Sequence, residues 1–165
     1  MKYDIYVDGT YTDFNPDATY GGIVAVKHCN DGHSVDFIWR VYTKDKNFIK
    51  SRNVGGELLA AMSAVVRMAV YAKMNPNVEF DVTIYHDYIG IASFIDGDWK
   101  AEKVVSQRYR DVVLHCINKH KNLKLRFHKV KAHSGVYYNE IADKVVRGEI
   151  TEYDHLALQT KEFMS

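Results

Sequence analysis

A chain of 165 residues is long enough to form one domain with its own core and needs no covalent staples. With 22 basic against 21 acidic side chains, its net charge of +1 neither marks a nucleic-acid binder nor excludes one. Two distant cysteines, Cys29 and Cys116, lack metal-ligand spacing; no basic-then-apolar leader is present, and the most apolar run, residues 58–66, stops at Arg67. A disulfide framework, a cysteine metal site and a membrane span are therefore not expected, and the expectation is a soluble cytoplasmic protein.

Residues 2–10 alternate: Tyr3, Ile5 and Val7 share one face, and Asp4, Tyr6 and Asp8 the other, as in a strand of a sheet interior. Asp8 closes that strand. A carboxylate there either needs a partner or a cation, or only begins a turn with Gly9. A polar loop holding Asn15-Pro16 leads to a second strand at residues 20–27. Asp31-Gly32 then signals a tight turn into a third strand carrying Val35, Phe37, Trp39 and Val41. Residues 44–53 read as a polar, basic connection. The glycine pair Gly55-Gly56 opens a helix to Lys73, apolar nearly all round and expected to be central.

Asn75-Pro76-Asn77 ends that helix, and Phe80, Val82 and Ile84 alternate along a fourth strand ending at His86-Asp87. A short helix is expected at residues 88–95 and an amphipathic surface helix at residues 103–120. Leu123, Leu125 and Phe127 mark a fifth strand, Lys131-Ala-His-Ser-Gly135 a loop, and residues 137–147 a last helix stopped by Gly148. This order indicates an α/β domain over residues 1–148 with a five-stranded mixed sheet. Three antiparallel strands come first, strands four and five run parallel to the first, and helices lie on both faces. Residues 149–165 form an extension whose Ile150, Tyr153, Leu156 and Phe163 suggest docking on the domain.

In such sheets ligands gather at the carboxyl ends of the parallel strands, where Asp8 and Asp87 fall. Glu57 and Asp143, from two helices, can reach the same rim. Two carboxylates about 4 Å apart repel by roughly 4 kcal/mol at an effective dielectric near 20, and a divalent cation reverses the sign. Oxygen-only ligands suit Mg²⁺ or Mn²⁺ and argue against zinc; paired ions of this kind serve in-line displacement at a phosphodiester.

The motifs Tyr6-Val-Asp-Gly-Thr10 with Asn15-Pro16 and Tyr20-Gly21, Gly56-Glu57-Leu-Leu-Ala-Ala61, Tyr85-His-Asp-Tyr88, and Val130-Lys-Ala-His-Ser-Gly135 with Asn139-Glu140-Ile-Ala-Asp143 span most of residues 3–148. Through them the chain resembles the type-1 ribonuclease H family, whose members cut the RNA strand of RNA·DNA hybrids. The resemblance implies a ribonuclease H-like fold and a metal-binding quartet of Asp8, Glu57, Asp87 and Asp143 holding two Mg²⁺ ions, with Mn²⁺ as a substitute. It also implies products with 3′-hydroxyl and 5′-phosphate ends. His133 matches the family's mobile histidine; an imidazole on a loop suits proton transfer, and the bland reading is a solvent-exposed loop histidine. The remaining histidines, His86 and His128 included, are read as structural, and Asp4, Glu79 and Asp81 as solvated strand residues.

For substrate contact, Asn15 and Asn53 match positions that read 2′-hydroxyls. Where the family carries a Thr-Asn-Asn run in its phosphate pocket, this chain has Arg52-Asn53-Val54; Arg52 can hold a phosphate itself, with Ser106 as a second candidate. Trp99 offers a flat face to a sugar, or packs. The family's long basic protrusion is missing, because Asp96, Asp98 and Glu102 offset Lys100 and Lys103. Scattered cations, Lys44, Lys46, Lys50, Arg52 and Arg108, are then left to grip the hybrid, and binding by a monomer should be weak and salt-sensitive. The basic run from Lys119 to Lys131 reads as solvated surface. The competing readings are another nuclease of the same fold, of resolvase or exonuclease type, and an inactive nucleic-acid-binding module.

Overall fold

The computed structural model describes residues 1–10, 17–131 and 137–150. Strand β1 (Lys2–Thr10) lies at the centre of one five-stranded sheet. It pairs antiparallel with β2 (Thr19–Cys29) and parallel with β4 (Phe80–His86). Outside these lie β3 (Gly32–Thr43), antiparallel to β2, and β5 (Leu123–Lys129), parallel to β4, giving the order β3-β2-β1-β4-β5. This is the mixed sheet expected from the sequence.

The alternation of β1 explains the layering. Tyr3, Ile5 and Val7 are buried on a face shared with Ile23, Val82 and Ile84, beneath α2 (Arg52–Met74) and α4 (Val104–Lys119), with α3 (Gly90–Asp96) alongside. On the opposite face α5 (Tyr137–Val146) covers Val24, Val26, Val35 and Ile38 through Ile141, Ala142 and Val145. Helices therefore occupy both faces. By length and composition α2 is apolar enough to cross a membrane, but 67% of its most apolar stretch is buried inside the domain. Its last turns do expose Val66, Val70 and Met74, so the helix is not buried all round.

Three local expectations need correction. The connection at residues 44–53 contains a helix, α1 (Lys46–Lys50), whose N-terminus is capped by Asp45: its carboxylate accepts from the backbone N–H of Asn47 at 2.9 Å and of Phe48 at 3.4 Å. In the hairpin the two loop residues are Asn30 and Asp31, and of the Asp31-Gly32 pair only Gly32 has positive φ, at 139°. Asp4 is not a solvated residue, since its Oδ2 contacts His28 Nε2 at 2.6 Å and its Oδ1 is buried. Asp81 of β4 is solvated as expected, its side chain 40% exposed in a surface ion pair with Arg126 at 2.6 Å.

Two close approaches seat the helices. A Cβ on Gly56 would lie 2.5 Å from the Tyr20 carbonyl oxygen and 2.9 Å from Thr10 N, so only glycine lets the start of α2 sit against β1 and β2. On the other face a Cβ on Gly22 would lie 2.5 Å from the Ala142 carbonyl oxygen of α5. At the far end of α5, Arg40 of β3 donates from Nε to the Val146 carbonyl at 3.0 Å and so serves one of the open acceptors of the helix C-terminus. Gly148, at φ 77°, then takes the chain off the helix.

Candidate active site

Asp8 stands at the carboxyl end of β1, and Asp87 follows the last residue of the neighbouring parallel strand β4. Glu57 comes from the second turn of α2, held over them by the Gly56 contact. One carboxylate oxygen from each of the three lies within 4.8 Å of the others. The Gly9 N–H donates to both Asp8 Oδ1, at 2.9 Å, and Glu57 Oε1, at 3.0 Å. Glu57 is only 5% exposed, and its Oε2 is buried with no hydrogen-bond partner among the described residues.

Such crowding shifts both acids. Burial, with the charges of Asp87 and Asp143 adding to it, pushes the Asp8 carboxyl up to about 6, against the lowering effect of hydrogen bonds from Glu57 and Gly9. Burial and then Asp8 itself raise Glu57 well above the ordinary carboxylate range. Both shifts run in the direction that disfavours negative charge on Asp8 and Glu57. A buried oxygen with no partner and two acids that resist ionisation together mark a place where positive charge is wanted. The donor set is all oxygen, which matches a hard divalent cation.

Asp143 stands apart from the three. It lies on α5, close enough for its charge to act on Asp8, but it is not in the 4.8 Å group, and its Oδ2 pairs with Arg147 at 2.7 Å. Three of the four expected acids are thus brought together, with the fourth turned to a cation one helical turn away. Arg147 was missed in the sequence, although its i,i+4 spacing from Asp143 was the signal. His133 and Asn15 lie outside the described residues.

Beside the acids runs a groove of about 650 Å³, and its lining includes Leu58 and Tyr88, which follow Glu57 and Asp87 in the chain. Arg52, Trp99 and Ser106 all line it, and so do Lys50, Lys100 and Lys103, against Asp98 and Glu102. Three of the five expected substrate contacts therefore line one groove, which includes chain neighbours of two of the acids but none of the acids themselves. Arg52 takes φ 51°, unusual for a residue with a side chain, at the junction of α1 and α2. Trp99 is 40% exposed and packs edge-on against Phe94 and Tyr88, so it both packs and offers a face. The Ser106 hydroxyl is buried and donates to the Lys103 carbonyl at 2.9 Å. Asn53 is exposed in the first turn of α2 but does not line the groove. Arg108 reaches Asp45 at 3.8 Å and ties α4 to the cap of α1. His86 is fully buried; its Nδ1 donates to the Tyr88 carbonyl at 2.9 Å and braces the turn that carries Asp87.

A mixed sheet in this order, with acids at the carboxyl ends of its adjacent parallel strands, defines a ribonuclease H-like fold. The chain belongs to the RNase H family, whose model matches residues 1–151. Among solved structures it is similar to LC11-RNase H1, isolated from compost by a metagenomic approach, at 19% identity and TM-score 0.63, covering 89% of this chain and 94% of that one. It is similar also to LC11-RNase H1 in complex with an RNA/DNA hybrid, at 15% identity and TM-score 0.63, covering 90% and 99%. RNase H1 of the halophilic archaeon Halobacterium salinarum matches at 16% identity and TM-score 0.57, covering 89% and 96%. No curated protein sequence matches the chain.

Proposed function

We propose that this protein is a metal-dependent endonuclease that hydrolyses the RNA strand of RNA·DNA hybrids and leaves 3′-hydroxyl and 5′-phosphate ends. The observation that carries this reading is the meeting of Asp8, Glu57 and Asp87 within 4.8 Å, with Glu57 Oε2 buried and unpartnered. Membership of the RNase H family and the likeness to an RNase H1 held in complex with a hybrid support it.

Asp8, Glu57 and Asp87, with Asp143 from α5, fit two Mg²⁺ ions, and Mn²⁺ in their place. Bound there, such ions supply the positive charge that favours an attacking hydroxide and a leaving oxyanion. The protein's own groups do the rest. The Gly9 N–H holds Asp8 and Glu57 at fixed positions. Lys50, Arg52, Lys100 and Lys103 attract the hybrid's phosphates along the groove, and Trp99 gives a sugar a flat surface. Asn15 and Asn53 read 2′-hydroxyls, His133 assists proton transfer, and Ser106 steadies the groove wall through Lys103.

The test is incubation of the protein with Mg²⁺ and end-labelled RNA·DNA hybrid, duplex DNA and duplex RNA, beside Asp87→Asn. The expected result is cleavage of the hybrid's RNA strand alone. Loss of one metal-holding carboxylate removes several kcal/mol of transition-state stabilisation, a fall of about a thousandfold in the variant. Preferential cleavage of duplex DNA, or full activity in Asp87→Asn, overturns the assignment.

A further inference from the structure

At the hairpin end of the sheet, on the face carrying α5, Asp4, His28 and His33 lie near one another, though their ligand atoms do not all fall within the 4.8 Å that joins Asp8, Glu57 and Asp87. His28 and His33 sit directly opposite each other on β2 and β3, one pair beyond the Cys29–Gly32 pair that closes the hairpin. That register makes them a non-hydrogen-bonded pair, the kind whose side chains lie closest. Their ring centres are 6.3 Å apart. Asp4 of β1, paired with Val26, lies diagonally across from His28, and its Oδ2 is 2.6 Å from His28 Nε2. Its Oδ1 is buried and has no hydrogen-bond partner among the described residues. Tyr138 of α5 stands edge-on to the His33 ring at 5.7 Å and closes one side.

A lone His–Asp contact at a surface is an ordinary pair. Here a second imidazole stands beside it on the next strand, and the carboxylate keeps an unsatisfied oxygen. Two imidazoles on one tetrahedral zinc, with Zn–N of about 2.0–2.1 Å, have ring centres roughly 5 Å apart. Bringing the 6.3 Å separation to that value takes a shift of about 1 Å, so the site requires the exposed His33 ring to turn about its side-chain bonds toward His28 and Asp4. Opening the Asp4–His28 contact from 2.6 Å to about 3.3 Å leaves room for an ion between them.

We propose that Asp4, His28 and His33 form a second cation site, for an imidazole-binding transition ion of the zinc class. Two nitrogens and one carboxylate oxygen suit that class, whereas the all-oxygen cluster at Asp8 suits Mg²⁺. The two sites are distinct. Asp4 and Asp8 are four residues apart on one strand, roughly 13 Å at about 3.3 Å per residue. Zinc bound here clips β1, β2 and β3 together and stabilises the folded chain by mass action.

The experiment is a titration of the full metal-stripped chain with Zn²⁺ against a chromogenic chelator, in excess Mg²⁺. One Zn²⁺ per chain is expected, retained in Asp8→Asn. Loss of an outer-shell partner already lowers zinc affinity tenfold or more, so His33→Ala, which removes a direct ligand, should weaken binding by at least about tenfold. His33 is exposed and the variant should fold; zinc should raise the melting temperature of the wild type and not of His33→Ala. No zinc uptake, equal affinity in His33→Ala, or loss of binding in Asp8→Asn overturns the proposal. None of these readouts uses hydrolysis, so each leaves the nuclease assignment untouched.

Discussion

Replacing Asp8 by Asn should stabilise the metal-free protein while abolishing hydrolysis. In the folded chain the Asp8 carboxyl is pushed from 3.8 to about 6, chiefly by burial. A folded pKa above the unfolded one means that the folded state binds the proton more tightly, so the acid favours folding when protonated and opposes it when ionised. The opposition is absent well below the unfolded value and complete above the folded one. The difference of about 2.2 units, at 1.36 kcal/mol each, corresponds to about 3 kcal/mol at pH 8 and about 0.5 kcal/mol by pH 4. Asparagine carries no charge to be desolvated, and its oxygen can still accept from the Gly9 N–H that now serves Asp8 at 2.9 Å. For a chain of this size, about 3 kcal/mol corresponds to a rise in melting temperature of roughly 6–12 °C. Urea unfolding of both proteins in EDTA at pH 8 and pH 4 measures the gain and its disappearance; saturating Mg²⁺ should shrink it at pH 8, because the cation favours the wild-type acids. If Asp8→Asn is no more stable than wild type at pH 8 in EDTA, the account of the cluster as a destabilising concentration of negative charge is refuted.

Three further outcomes are expected. Gly56→Ala places a methyl 2.5 Å from the Tyr20 carbonyl oxygen, so it should cost about 1–3 kcal/mol in urea unfolding and lower hybrid cleavage further than that loss explains, by tilting Glu57 off the cluster; unchanged cleavage would show that the seat of α2 does not position Glu57. Arg147→Ala frees Asp143 from a half-exposed ion pair worth at most about 1 kcal/mol, so the Mg²⁺ concentration for half-maximal cleavage should fall by up to about fivefold; a higher requirement would mean that Arg147 assists the site. Asn122→Ala removes an amide lying within 3.1 Å of the Ala72, Asn75 and Val78 carbonyls, and should destabilise by about 1–3 kcal/mol with the Mg²⁺ dependence of cleavage unaltered.

Strands β1, β4 and β5 were readable because each alternates, and Tyr3, Ile5 and Val7 against Asp4, Tyr6 and Asp8 suffice to place β1. The strand–helix–strand order then put Asp8 and Asp87 at a common rim, and the glycine pair before Glu57 announced a close approach. What stayed hidden depends on contacts distant in sequence. Helix α1 is too short for a periodic signal, having Phe48 as its one buried residue, although Asp45 marked its start. Asn122 reads as loop composition until three carbonyls of another segment surround it. The groove joins residues 50–58 to residues 88–106, and no spacing rule connects those stretches. The turning of Asp143 toward Arg147 follows from the apposition of a side chain on α5 and one just past its end, and a residue-type motif carries no information on which partner an acid prefers.

Glu57 and Asp143 arrive from opposite sides of the sheet, and each helix meets it at a residue with no side chain, Gly56 below and Gly22 above. The layer is therefore thinnest at its reactive rim, and tolerance to mutation there divides sharply by residue type. Amides in place of the acids should leave a well-shaped chain that lacks the charges to hold a cation. Any methyl at the two glycines forces a helix outward, and shape and reactivity are lost together.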